Sequence, residues 1–89
     1  MATSAKTIIL HWLDSLENGE VFYSYTLENQ VPMYGKLKFN KVHTASTYSR
    51  VFRQLREDNL LETLGFKLTP VKHSEGNSKG WIIQNTTVN

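Results

Sequence analysis

Arg50, Arg53 and Gln54 follow a run of short hydroxyl side chains, Ser46, Thr47 and Ser49, in the stretch TASTYSRVFRQLRED at residues 44–58. A guanidinium donates two parallel hydrogen bonds to O6 and N7 of guanine, a fit that lysine cannot copy, and a carboxamide can read adenine. A good bidentate pair discriminates by about 1–3 kcal/mol. The hydroxyls are short enough to let a helix sit close to a phosphate backbone and bond to it. Helix capping is the competing use, above all for Ser46 and for Thr44 before it. For Arg50 and Arg53 the alternative is plain surface charge, with Arg53 paired to Glu57 one turn on for only about 0.3 kcal/mol.

The charge around these residues is segregated. Between Asn29 and Arg56 there is no acid, whereas Lys36, Lys38, Lys41, Arg50, Arg53 and Arg56 give the segment a charge of +6. The remaining chain holds four basic and eight acidic residues, −4, so the net +2 conceals a basic segment on an acidic body. Such asymmetry suggests a polyanionic partner, and a fortuitous cluster on a solvated surface is the bland alternative. Lys36, Lys38 and Lys41 would supply sequence-independent phosphate contacts, with a solvated loop as the competing reading.

Other chemistries find less support. His11, His43 and His73 are scattered without HxxxH spacing, and there is no cysteine, so no metal site, cofactor or disulfide framework is expected. No GxGxxG, Walker loop or GxSxG occurs, which argues against an enzyme. The run IILHWL at 8–13 is too short for a membrane span or a secretory signal. The expectation is a cytoplasmic, nucleoid-associated protein that does not bind membranes.

At 89 residues the chain suits one domain with one modest core. Ala5, Ile8, Ile9, Trp12, Leu13 and Leu16 recur at helical spacing, which predicts a helix over about 4–18, capped by Thr3 or Ser4 and closed by Gly19. EVFY at 20–23 reads as a short strand. Ser24 offers a cap for a second helix over about 24–31 that Pro32 would end, leaving an irregular loop to residue 43. A third helix over about 45–59 buries Tyr48, Val51, Phe52 and Leu55, and sets Ser46, Arg50 and Arg53 on the opposite side, flanked by Thr47, Ser49 and Gln54. Residues 61–86 carry two β-prone runs around SEGNSKG, a hairpin in which Pro70 fits only at an edge or a bend. Trp12, Tyr48 and Phe52 fall on the apolar stripes, and Trp81 is expected to pack on the helices. Exposure of Tyr23, Tyr25, Tyr34 or Phe39 would instead favour stacking on single-stranded bases.

This order, α+β with three helices and a C-terminal hairpin, together with TASTYSRVFRQLREDNLLE at residues 44–62, resembles the winged-helix variant of the helix-turn-helix DNA-binding domains. In that family the third helix enters the major groove and the hairpin, or wing, lies along the backbone or minor groove. The resemblance implies groove contacts for Ser46, Thr47, Ser49, Arg50, Arg53 and Gln54, and wing contacts for Lys72, His73, Asn77 and Lys79. The connection over about 32–43 departs from the family's tight turn, although its lysines could reach phosphates beside the groove.

The resulting expectation is double-stranded DNA binding by a small transcriptional regulator or DNA-reading module. A site this small favours a homodimer, paired through the first helix or the tail after Gln84. The second expectation is a winged-helix interaction module whose basic face docks on an acidic protein. Single-stranded DNA or RNA binding is the third.

Overall fold

The computed structural model describes residues 4–72 and 79–85, apart from the side chain of Lys72. Helix α1 (Ala5–Ser15) starts where the Ser4 hydroxyl accepts a hydrogen bond from the Thr7 N–H, at 3.2 Å, and it buries the predicted stripe of Ala5, Ile8, Ile9, Trp12 and Leu13. It stops short of residue 18 because the following residues serve the sheet. The Asn18 side chain accepts from the Asn85 N–H, and the Gly19 N–H donates to Ile83 O at 2.7 Å. Gly19 does take a left-handed φ of +86°, but in the turn beyond the helix and not as its cap.

Strand β1 (Val21–Tyr23) leads directly into α2 (Ser24–Phe39), which departs most from the sequence expectation. The helix does not end before Pro32 but runs through it to Phe39. A mid-helix proline removes one N–H donor and crowds the carbonyl four residues back. Here the tertiary packing outweighs that cost, because Leu27, Val31 and Gly35 straddle the proline on one buried stripe. Asn40, with a left-handed φ of 52°, closes the helix by donating its N–H to Gly35 O and Lys36 O. The long loop therefore shrinks to residues 40–44, and Lys36 and Lys38 stand on the last turns of α2. Ser24 is likewise not the cap. Tyr23 is, with its N–H donating to the Thr26 hydroxyl at 3.3 Å, while the Ser24 hydroxyl donates to Lys79 O.

Helix α3 (Ala45–Glu57) is followed by a single turn, α4 (Leu60–Thr63), where the sequence suggested the hairpin had begun. Asn59, at φ 55°, separates the two, and Leu61 anchors the extra turn in the core. The hairpin strands are β2 (Phe66–Lys72) and β3 (Lys79–Asn85). Among the described residues the architecture is thus α+β, four helices against a three-stranded antiparallel sheet of order β1-β3-β2. Pro70 lies in β2, an edge strand where its missing N–H is tolerable.

The core is dominated by aromatic rings. Phe22 meets Trp12 edge-on at 5.5 Å between centroids, Phe52 at 5.9 Å and Trp81 at 5.6 Å, so one side chain of β1 touches α1, α3 and β3. Replacing Phe22 with alanine should cost about 3–5 kcal/mol in a urea denaturation measurement. A loss below about 1 kcal/mol would mean that the cluster does not carry the fold.

Where α1, α2 and α3 converge, Gly35 leaves room for Tyr48. A Cβ at residue 35 would stand 2.6 Å from the Tyr48 hydroxyl and 3.2 Å from an Ile8 methyl. That hydroxyl is buried without a hydrogen-bond partner among the described residues, and burial raises the Tyr48 pKa. Gly35→Ala should therefore destabilise by about 1–3 kcal/mol through overpacking. Tyr48→Phe removes an unsatisfied buried oxygen and should be neutral or stabilising. The double variant should recover much of the alanine's loss, a coupling above about 0.5 kcal/mol in chemical denaturation. Simple additivity would contradict this packing.

Candidate nucleic-acid interface

Helix α3 is held by opposite means on its two sides. Tyr48, Phe52 and Leu55 are buried, and Phe52 packs on Trp81 at 5.2 Å between centroids. On the other side Ser46, Arg50, Arg53 and Gln54 are exposed. Neither Arg50 nor Arg53 forms an ion pair with a described residue, so the expected alternative pairing of Arg53 with Glu57 is not made.

The hydroxyls divide between two tasks. Thr44 is the N-cap, accepting from the Thr47 N–H at 3.2 Å, and its hydroxyl also meets those of Ser46, at 3.1 Å, and Thr47, at 2.8 Å. Capping is thus centred on Thr44, with Ser46 and Thr47 as its partners. Ser49 is half-buried and donates to Glu28 Oε1 of α2 at 2.8 Å. This carboxylate, one residue before the acid-free segment, stands against the polar side of α3. Sequence reasoning did not find it, because the contact spans 21 positions.

The other basic residues lie at three places. Lys36 and Lys38 are exposed on α2, Lys41 is half-buried in the 40–44 connection, and Lys79 is exposed on β3. Lys72 ends β2 opposite Lys79 in the strand register, whereas His73 and Asn77 lie outside the described residues. The structure therefore sets Arg50, Arg53 and Gln54 on one helix face but leaves the lysines on separate elements.

Arg56 belongs to a different environment. Its guanidinium carbon lies 4.8 Å from the Trp81 ring centroid and 5.1 Å from that of Phe52, so it clamps α3 to β3. Desolvation lowers its pKa, with the Glu57 charge opposing and the Arg53 charge adding to the shift. A desolvated contact of this kind is worth about 2 kcal/mol. The sequence carried a signal for it, since Arg56 follows Phe52 by four residues and so shares its helix face.

Tyr25, Tyr34 and Phe39 each pack on another ring. Tyr34 and Phe39 are half-buried and pack against His11, whose ring meets Phe39 edge-on at 5.1 Å. Tyr25 is 45% exposed but stacks parallel on Tyr23 at 5.3 Å between centroids. Among the described residues no group of three His, Asp or Glu could hold a metal ion, and no helix is long and apolar enough to cross a membrane.

Comparison with family models, with curated proteins and with solved structures finds no match. The placement of α3 itself is testable. Thr44→Ala should cost about 1 kcal/mol and speed amide hydrogen exchange in the first turn of α3. Unchanged exchange at residues 46–48 would show that the cap is not needed.

Proposed function

We propose that this chain is a winged-helix domain that binds double-stranded DNA, with α3 as the major-groove helix and the β2–β3 hairpin as the wing. It would serve as a small transcriptional regulator or a DNA-reading module. The observation that carries the reading is the exposed face of α3, where Arg50 and Arg53 stand beside Gln54 with no ion pair to a described residue, while the opposite face is fixed in the aromatic core. A groove-reading helix needs this combination, because a guanidinium already paired to a carboxylate must first be released. Two further features support it. The element order and the β1-β3-β2 sheet are compatible with a winged-helix layout. The short 40–44 connection also suits a helix-turn-helix better than the loop expected from the sequence.

In this reading Arg50, Arg53 and Gln54 contact base edges, Lys36, Lys38, Lys41 and the wing residues Lys72 and Lys79 contact phosphates, and Ser46 and Thr47 approach the backbone as part of the cap. Ser49 has the smaller role, since Glu28 already engages it.

A second reading is favoured by one observation. Met33 and Leu37, one turn apart on α2, are 63% and 75% exposed next to Lys36 and Lys38. Apolar side chains flanked by lysines suit an acidic amphipathic protein segment better than a phosphate backbone.

The deciding experiment is fluorescence anisotropy with a pool of random-sequence duplexes at about 50 and 200 mM salt, in which each phosphate neutralised contributes a slope of about −0.9. The expected result is binding that falls steeply with salt and weakens in Arg50→Ala/Arg53→Ala. No binding at the lower salt overturns the DNA reading, and binding that depends on Met33 and Leu37 but not on Arg50 favours the protein partner.

A further inference from the structure

A cleft of about 370 Å³ opens between the end of α3, α4 and the edge strand β2. Its walls are Leu61, Phe66, Leu68, Pro70 and Trp81, and Arg56 lines it as well. The fold leaves this space because β2 is one of the sheet's two outer strands. Its inward positions Phe66, Leu68 and Pro70 extend past the cover that the short α4 provides. The volume lies within the range of small-molecule sites, about 300–1,000 Å³.

Arg56, one of two cations in the lining, has no anionic counterpart among the described residues. Arg56 is half-buried, its Nε is fully buried without a partner, and no hydrogen-bond acceptor or ion pair among the described residues serves its guanidinium. Half-buried guanidinium groups are normally matched by a carboxylate or carbonyl, because desolvation without an acceptor is costly. Lys67 also lines the cleft, against a single acid, Glu62, and both of these are exposed. The charge balance of the lining therefore favours an anion, and half-buried Leu68 with exposed Pro70 offers a wall to an apolar body.

We propose that this cleft is a binding site for a small aromatic carboxylate, its ring on the wall of Leu68 and Pro70 beside Trp81 and its carboxylate on the open edge of the Arg56 guanidinium. The site is separate from the exposed face of α3 and does not depend on the DNA reading. It uses the same residue that clamps α3 to β3, and the ligand's anion meets the terminal amines of the guanidinium, because Nε is fully buried.

The test is a titration of the full chain with 2-naphthoate and, separately, with 2-naphthamide, followed by the tryptophan indole and backbone amide resonances in NMR spectra. The expected result is that the acid binds at least about tenfold tighter than the amide, near 1.4 kcal/mol, and shifts the Trp81 indole together with amides of α4 and β2. Arg56→Met, which keeps the apolar stem, should abolish the preference for the acid. Should that variant fail to fold, the acid and amide on the native chain still decide. Equal affinity for the two, shifts lying outside the cleft, or no binding of the acid at millimolar concentration would each overturn the proposal.

Discussion

The aromatic contact set around Phe22 is the constraint on which the rest of the structure hangs. β1 is only three residues long and could not hold an edge position by its ladder alone. Phe22 compensates by pairing with Trp81 across the strands and by touching Trp12 of α1 and Phe52 of α3. Each aromatic pair adds about 0.5–1.5 kcal/mol beyond its buried area, and the pairs share members, so loss of one loosens the others. Helices and sheet are joined through this cluster, and the orientation of α3 is inherited from it.

The same cluster explains why one of three closely spaced arginines behaves unlike its neighbours. Arg50 and Arg53 occur on the solvent side of α3, and hydration keeps their charge cheap. Arg56 follows Phe52 by one turn and is drawn over the rings of Phe52 and Trp81. There it gains cation–π attraction and loses water, beside the cleft that it helps to line. A basic count of six in the acid-free segment therefore overstates the charge presented to a partner. Glu28 reduces it further, because its carboxylate reaches across to Ser49.

Much of the fold was legible where periodicity is strong. The stripes of α1 and α3 recur at i, i+3, i+4 and i+7, and the turn-rich stretch between two β-prone runs marked the hairpin. Only the first half of α2 was legible, since beyond Val31 Met33 and Leu37 are exposed while Gly35 is buried, which blurs any apolar stripe. Pro32 then misled, because its local penalty is fixed while the compensating contacts of Leu27 and Val31 are tertiary. The turn of α4 was hidden inside a β-prone run for the same reason, its anchor being Leu61 in a core assembled from distant elements. For the candidate site, the helix that bears Arg50, Arg53 and Gln54 was readable from spacing, and the Thr44 cap was one of two sequence candidates.

The sequence by itself determined which residues are apolar at which helical phase, and where the bases and acids are segregated, because both follow from local order and composition. Tertiary structure alone decided which polar groups of α3 remain available. Among the described residues Arg50 and Arg53 stay unpaired, Ser49 is engaged by a carboxylate 21 positions away, and Arg56 is absorbed by a ring that comes from β3. The physical reason is that hydrogen bonds and desolvation depend on distances between segments, and the chain order does not contain those distances until the core has closed.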